Sequence, residues 1–213
     1  MKNINPKFIK LNDATRLHNL NVPVIGLTGG IATGKSTVSK MLIDAGLPII
    51  DADKLVKYVY TLEATREFIQ KQHSDVWINE EINFPKLREK FFKNPAVRQE
   101  IEKFIYERLP GALHAAYVAL GNPPYIVYDV PLLFEKQLED KVDLKVLVYA
   151  PRKIQRARLM VRDGHLEEMA ETILDHQLDI EDKRLKSDFI IDNSGSMEEL
   201  AVEVQSFLRQ VLL

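Results

Sequence analysis

The stretch that decides the fold is residues 22–53, Val-Pro-Val-Ile-Gly-Leu-Thr-Gly-Gly-Ile-Ala-Thr-Gly-Lys-Ser-Thr-Val-Ser-Lys-Met-Leu-Ile-Asp-Ala-Gly-Leu-Pro-Ile-Ile-Asp-Ala-Asp. It opens with an apolar run that ends in glycines, which is typical of a buried parallel strand. Apolar residues at helical spacing then predict a helix from about Lys35 to Ala45. A second apolar strand ends at Asp51. Strand, glycine loop, helix and strand in this order predict a βαβ unit.

The rest of the chain repeats this alternation. Three further apolar runs predict strands at 125–130, 142–149 and 189–191. Residues 59–123 are mostly helical in pattern, with prolines that interrupt them. Five strands separated by helices predict an α/β fold with a doubly wound, five-stranded parallel sheet and helical insertions after the second and fourth strands. We expect the strand that ends at Asp51 to lie beside the strand that leads into the glycine loop.

Composition and charge narrow the class of protein. A net charge of −2 over 213 residues argues against a dedicated nucleic-acid-binding protein. The chain has no cysteine, which excludes disulfides, thiolate zinc sites and cysteine nucleophiles. The sequence contains neither an apolar run long enough to span a bilayer nor the apolar segment of a secretory signal. We therefore expect a cytoplasmic monomer without nucleic-acid or membrane partners, in which residues 1–21 form a loosely attached extension.

The glycine loop matches the phosphate-binding pattern G-x-x-x-x-G-K-[ST] of P-loop NTPases at every fixed position. Glycines let the backbone curl with its N–H groups pointing inward, and the next helix adds the positive end of its dipole. Lys35 is predicted to reach the β- and γ-phosphates and the Ser36 hydroxyl to hold Mg²⁺, so ATP and Mg²⁺ are the expected cofactors. The predicted nucleotide-binding residues of the loop are Gly29, Gly30, Ile31, Ala32, Thr33, Gly34, Lys35, Ser36 and Thr37.

Acidic residues follow two of the predicted strands. A small-molecule kinase needs an acid near the γ-phosphate to deprotonate the acceptor hydroxyl, and Asp51 and Asp53 are candidates. In an extended backbone the two share a side, whereas a helix that begins at Asp51 makes this residue its cap and directs Asp53 elsewhere. The alternative is a helix cap alone. Asp129, at the end of the third strand, is either a magnesium-supporting acid or a polar strand end. Asp51 and Asp129 thus join Ser36 as candidate metal ligands.

A basic helix is predicted at 152–162. Arg158 and Arg162 are four residues apart and share one helix face, which suits them to binding phosphate oxygens as part of a mobile lid. The alternative is a solvated basic face that pairs with the acidic residues downstream, namely Glu167, Glu168 and Glu171. Docking of this helix on nucleic acid is a third hypothesis, which the net charge disfavours.

The order of these motifs resembles the dephospho-CoA kinase family. The resemblance rests on blocks in the family's order that cover nearly all of the chain after residue 22. These blocks are 26–37, 47–53, Val130-Pro-Leu-Leu-Phe-Glu135, Gln155 through Arg158, Arg162-Asp-Gly164, Gln177, Lys183 and 187–195. Together they are much more specific than the phosphate loop alone.

The resemblance implies transfer of the ATP γ-phosphoryl group to the ribose 3′-hydroxyl of dephospho-CoA, which gives coenzyme A and ADP. It implies that Asp53 is the base and that Arg158 and Arg162, with Lys35, complete the catalytic residues. It places Asn193 and Gly195 near the adenine. The implied organisation is a nucleotide-binding core of 22–58, 124–150 and 186–213, an insert at 59–123 that binds dephospho-CoA, and a lid at 151–185.

Two positions depart from the family. Ala32 replaces a usual glycine, which is tolerable if its φ is negative. Tyr106-Glu107 stands where the family usually has His-Pro, so the acceptor-binding residues are not identified by the resemblance. Two other functions stay open from the residues alone: another P-loop kinase that acts on a nucleoside or nucleotide, and a nucleotide-gated binding module.

Overall fold

A computed structural model describes residues 3–213. The chain forms two compact units. The first consists of the described residues up to Asp51 together with Leu120–Leu213, and the second is Ala52–Ala119. Within residues 3–213, no helix has both the length and the apolar character that crossing a membrane requires.

The elements follow one another in the predicted alternation. The strands are β1 (Val24–Gly29), β2 (Ile49–Asp51), β3 (Trp77–Ile78), β4 (Glu81–Ile82), β5 (Ile126–Asp129), β6 (Leu144–Tyr149) and β7 (Phe189–Asp192). The helices are α1 (Lys35–Asp44), α2 (Ala52–Thr61), α3 (Glu63–Gln72), α4 (Phe84–Lys93), α5 (Pro95–Tyr106), α6 (Leu109–Ala119), α7 (Arg152–Asp163), α8 (Glu167–Asp175), α9 (Ile180–Lys186) and α10 (Met197–Val211).

A five-stranded parallel sheet organises the first unit. Its strand order is β2-β5-β1-β6-β7, so the predicted α/β fold with five parallel strands is confirmed. The expected neighbour of β2 was wrong, because β5 separates β2 from β1. In the observed register, Asp129 at the end of β5 is paired with Leu27 of β1 and with Asp51 of β2. The carboxyl ends of these strands therefore meet at one edge of the sheet.

Helices cover both faces of the sheet. On one face, α1 and α10 pack on apolar side chains that alternate along the strands, as the period of two requires. The fully or nearly fully buried members of this cluster include Ile25, Leu27, Val38, Leu42, Val146, Val148, Val204 and Phe207. On the other face, Ile180 of α9 packs on Leu147 and Tyr149 of β6. Burial on both faces explains why the strands are continuous apolar runs.

The second unit is helical except for one short hairpin. It overlaps the predicted insert at 59–123, and helix α2 opens it at Ala52. Phe68 of α3 stacks on Phe104 of α5 with ring centroids 3.9 Å apart, and the Arg108 guanidinium lies 3.3 Å from the Phe104 ring centroid. The hairpin of β3 and β4 was not predicted, because two-residue strands are too short to show a period in the sequence.

The N-terminal segment of the described chain is firmly packed, so the prediction of a loosely attached extension was wrong. Ile4 forms an antiparallel bridge with Leu212, and the Asn5 N–H donates to the Val211 carbonyl at 2.8 Å. Leu17 and Leu20 are buried. The segment therefore closes over the end of α10 and contributes to the core.

A buried ion pair attaches this segment to the sheet. Arg16 Nε donates to Asp143 Oδ2 at 2.8 Å, and both side chains are almost fully inaccessible to solvent. Asp143 also accepts the backbone N–H groups of Val24 and Leu11. Burial alone would raise the pKa of Asp143, but these hydrogen bonds outweigh it, and the pKa lies below its usual value.

We expect Asp143→Ala to lower the free energy of unfolding by about 3–5 kcal/mol, because it removes the buried anionic partner of Arg16 and leaves this arginine with the exposed Asp13 as its acidic partner. Urea denaturation measures the change. The matched control is Lys10→Ala, which removes the half-exposed ion pair of Lys10 with Asp188 and should cost at most about 1 kcal/mol. Equal losses in the two variants would contradict the proposed importance of the buried pair.

The same pair predicts a pH dependence. The folded pKa of Asp143 is lowered from 3.8, so its contribution to stability is fully present above 3.8 and is lost as the pH falls through the lower folded value. The stability difference between the native chain and Asp143→Ala should therefore stay constant near neutral pH and shrink only in strong acid. A difference that already shrinks near neutral pH would contradict this assignment.

Candidate active site

The phosphate loop connects β1 to α1 at the carboxyl edge of the sheet. Helix α1 begins at Lys35, directly after Gly34, whose φ is +87°. A Cβ at Gly34 would collide with the Asn193 side-chain amide, so both conformation and space require glycine here. The first N–H groups of α1 have no acceptor within the helix and point toward the open end of the loop. This arrangement forms an anion-binding nest.

Ala32 also has a left-handed backbone, with φ of +59°. The condition of a negative φ, under which alanine at this position would be tolerable, is therefore not met. For an alanine this conformation costs roughly 1–2 kcal/mol relative to a right-handed one. The surrounding contacts have to hold the loop in this shape.

Two side chains from distant segments contact the loop. The Asn193 amide, at the end of β7, donates to the Thr33 carbonyl at 2.7 Å. Arg158 of α7 donates to the Asn193 carbonyl at 2.8 Å, and its other terminal nitrogen lies 3.4 Å from the carbonyl oxygens of Ala32 and Thr33. The structure thus brings the predicted Arg158 and Asn193 to the phosphate loop.

Lys35 is held by an acid on the neighbouring strand. Its Nζ forms a short ion pair with Asp129 Oδ1, and Ser39 Oγ donates to Asp129 Oδ2 at 2.7 Å. Both carboxylate oxygens of Asp129 thus have partners, and the residue is only 5% exposed to solvent. This carboxylate orients the lysine. It also lies at the strand end where a magnesium-supporting acid was predicted. Ser39 was missed by sequence reasoning, although its position one helical turn after Lys35 was available as a signal.

Asp51 and Asp53 belong to different elements. Asp51 is the last residue of β2, and α2 begins at the next residue, with Asp53 in its first turn. The alternative in which both acids extend one strand and share a side is therefore wrong. Asp51 lies beside Asp129 in the sheet register, while Asp53 is the second residue of the second unit.

The arginines of α7 divide between the two predicted roles. Arg152 and Arg156 pair with the acids of α8, Arg156 Nη1 lying 2.6 Å from Glu167 and 3.0 Å from Glu171, as the solvated alternative required. Arg158 instead contacts the phosphate loop. Arg162 is exposed, and its guanidinium is paired with Asp163, which raises the pKa of Arg162.

A further contact to the loop comes from the link between α8 and α9. Gln177 Oε1 accepts the Ile31 N–H at 2.9 Å. Gln177 and Lys183 occur in the sequence blocks that resemble the family, but no role was assigned to them. Their contacts depend on tertiary structure that no local pattern shows.

One large cavity opens over the phosphate loop. It has a volume of about 1400 Å³ and lies within the first unit. It is lined by the loop, by Arg158 and Arg162 of α7, and by Asn193, Gly195 and Met197 beyond β7. The open nest, the oriented lysine and the exposed Ser36 hydroxyl fit a nucleoside triphosphate with Mg²⁺. Among residues 3–213, no cluster of three or more acidic or histidine side chains forms a separate metal site.

The fold and the site together define the class of P-loop phosphotransferases. The defining features are the parallel sheet with its phosphate loop, the helix α7 whose Arg158 contacts that loop, and a helical second unit. A family model described as dephospho-CoA kinase matches residues 23–199. A dephospho-CoA kinase of Anaeromyxobacter dehalogenans is 36% identical over 190 residues, which are 87% of this chain and 90% of that protein. One from Bradyrhizobium diazoefficiens is 32% identical over 192 residues, 89% of this chain and 96% of that protein.

A solved structure is also similar to this chain. The structure named dephospho-CoA kinase from Campylobacter jejuni has a TM-score of 0.68 and 26% identity, and the match covers 88% of this chain and 96% of that one. This chain therefore belongs to the dephospho-CoA kinase family, and it is an enzyme, a kinase.

Replacing Ala32 by glycine tests the backbone conformation of the loop. We expect Ala32→Gly to raise the free energy of unfolding by about 0.5–1 kcal/mol, since it relieves the left-handed strain at the cost of some chain entropy. Urea denaturation measures the change. The control is Ala201→Gly within α10, where φ is helical and glycine should lower stability by about 0.5–1 kcal/mol. A destabilised Ala32→Gly variant would contradict the left-handed assignment.

Proposed function

We propose that this chain transfers the γ-phosphoryl group of ATP to the 3′-hydroxyl of dephospho-CoA. The observation that carries the proposal is the set of contacts that Arg158, Asn193 and Lys35 make around a phosphate loop in a chain of this family. In the reaction, a bond forms between the acceptor oxygen and the γ-phosphorus. The bond from that phosphorus to the bridging oxygen breaks, and ADP leaves.

The residues of the first unit bind and orient the triphosphate. The backbone nest and the positive end of α1 receive phosphate oxygens, and Lys35, oriented by Asp129, neutralises charge that develops during transfer. Arg158 already lies at the loop and adds a second positive charge. Closure of α7 over the cavity would exclude water, which is needed because water would otherwise accept the phosphoryl group.

Mg²⁺ would be held through the Ser36 hydroxyl, with Asp51 and Asp129 as supporting acids. When bound, the ion neutralises phosphate charge and fixes the geometry of the β- and γ-phosphates. Both oxygens of Asp129 are already paired, one with Lys35 and one with Ser39. Asp129 would therefore support Mg²⁺ indirectly, by orienting Lys35 and by adding negative charge near the ion.

The acceptor side of the proposal rests on Asp53 and on the second unit. Asp53 would take the proton of the acceptor hydroxyl, and its place in the chain, two residues after the end of β2, supports this assignment. Binding of dephospho-CoA by the insert at 59–123 stays a prediction. Tyr106 and Glu107 end helix α5 there and differ from the family's usual His-Pro.

The direct test is incubation of the purified chain with ATP, Mg²⁺ and dephospho-CoA, followed by mass analysis of the product. We expect a gain of one phosphoryl group on dephospho-CoA. Phosphorylation of a nucleoside or nucleotide acceptor instead would establish the alternative kinase. ATP binding that no acceptor converts to product would establish a binding module and overturn the proposal.

We expect Asp53→Asn to lower kcat by at least about 10²-fold while leaving ATP affinity unchanged, because the amide cannot accept the hydroxyl proton. Steady-state kinetics and ATP titration separate the two effects. Asp44→Asn, an acid-to-amide change at the exposed end of α1, is the matched control and should behave like the native chain. Normal turnover by Asp53→Asn would contradict the role of Asp53 as the base and would leave it a role only in the first turn of α2.

We expect Arg158→Ala to lower kcat by at least about 10²-fold. This loss is smaller than the roughly 10³–10⁵-fold that a transition-state arginine can contribute, because Lys35 and the backbone nest remain. The control is Arg156→Ala on the same helix, whose ion pairs with Glu167 and Glu171 should be worth only about 0–1 kcal/mol. Equal rates in these two variants would contradict the assignment of Arg158 to the site.

A further inference from the structure

Gln177 joins the phosphate loop to the segment that links α8 and α9. Its Oε1 accepts the Ile31 N–H at 2.9 Å, and the side chain is part-buried at the wall of the cavity. This N–H belongs to the Gly30–Ile31 peptide, and Ile31 is the residue before Ala32, the strained residue of the loop. On the C-terminal side of Ala32, Arg158 Nη1 lies 3.4 Å from the Ala32 carbonyl oxygen. The left-handed residue is therefore held from both sides by side chains of the α7–α9 region.

The residue after Gln177 is anchored separately. The Leu178 N–H donates to Glu135 Oε1 at 3.1 Å, and Lys183 Nζ lies 2.7 Å from the same carboxylate oxygen. Lys183 is fully buried and comes from α9, whereas Glu135 lies in the loop after β5. A buried lysine without a carboxylate partner would be strongly unfavourable, so this pair fixes the α8–α9 link to the loop after β5.

Ile180 gives the link a third attachment. It is buried against Leu147 and Tyr149 of the sheet, and its Cδ1 lies 3.3 Å from the position that a Cβ on Gly30 would occupy. The backbone that follows Gln177 is thus restrained at Leu178 and Ile180, which limits the freedom of the Gln177 amide to turn away from Ile31.

We propose that Gln177 is a positioning residue for phosphoryl transfer, which holds the Gly30–Ile31 peptide in the shape that receives phosphate, and that the Glu135–Lys183 pair holds Gln177 in place. The side chain acts through the loop and carries no charge of its own to the phosphates. A neutral amide suits this place, because a carboxylate could accept the same N–H but would add negative charge beside a triphosphate. The kinetic part of this proposal rests on the proposed function, whereas its nucleotide-binding part does not.

The first test is Gln177→Met, which keeps the size of the side chain and removes the acceptor. ADP binding by calorimetry and kcat and KM for ATP are measured on the full chain. We expect ADP affinity and kcat/KM to fall at least about tenfold, as small misplacements in a site do, with an unchanged midpoint of urea unfolding. The control is His176→Ala, at the exposed neighbour whose ring nitrogen contacts the Thr172 carbonyl of α8, and this variant should bind ADP normally.

The second test separates positioning from packing. Lys183→Met leaves the part-buried Glu135 without its cation and should weaken ADP binding about as much as Gln177→Met. The double variant Glu135→Gln with Lys183→Met restores a neutral pair that still accepts the Leu178 N–H, and ADP affinity should return to within about threefold of the native value. If Lys183→Met does not fold, the double variant is compared directly with the native chain.

The outcomes are distinct. Native ADP affinity in Gln177→Met overturns the positioning role. Native ADP affinity in a folded Lys183→Met variant overturns the role of the Glu135–Lys183 pair, and weak ADP binding by the folded double variant overturns the idea that this pair acts by holding Leu178. If the native chain binds ADP but does not phosphorylate dephospho-CoA, the proposed function fails, while the ADP measurements still decide the role of Gln177.

Discussion

The left-handed backbone of the phosphate loop is the constraint on which the site depends. Gly34 adopts this conformation freely, but Ala32 does so against its own preference. A loop of this kind keeps its shape only where surrounding contacts over-determine it. Those contacts come from Arg158, Asn193 and Gln177, which all lie far from the loop in the sequence. The loop that binds phosphate is therefore a product of the whole first unit.

The charges around the loop are arranged so that cations face the cavity and anions hold them. Asp129 is buried and engages Lys35 and Ser39, which reduces the freedom that Lys35 would lose on binding a triphosphate. Arg152 and Arg156, on the same helix as Arg158, are neutralised by acids of α8. This sorting leaves few cations directed at the nucleotide and keeps the basic helix from being a general anion-binding surface. It agrees with the small net charge of the chain.

The opposite end of the sheet is stabilised by another buried acid. Asp143 accepts hydrogen bonds from Arg16 and from the backbone at the start of β1, so one carboxylate joins the N-terminal segment to two central strands. The bridge between Ile4 and Leu212 adds α10 to the same assembly. Both ends of the described chain thus pack on the sheet whose other edge carries the phosphate loop.

Much of the fold and part of the site follow from the sequence alone. Continuous apolar runs identified the five parallel strands, because strands covered on both faces have no polar side, and the motif at residues 29–36 identified the loop, because its chemistry is local. The blocks that resemble the family also pointed to the kinase activity that the comparisons support. Strand order was not available, since nothing in β2 shows that β5 will lie beside it.

Tertiary structure alone decided which charged and polar groups meet. Arg156 and Arg158 are neighbours in one basic helix, yet one pairs with Glu167 and the other contacts the phosphate loop, because their directions on the helix differ by about two hundred degrees over two residues. Likewise, the positive φ of Ala32 and the packing of Arg16 on Asp143 arise from contacts between remote segments. Sequence patterns report local periods and motifs, whereas these contacts exist only once the sheet has brought distant residues together.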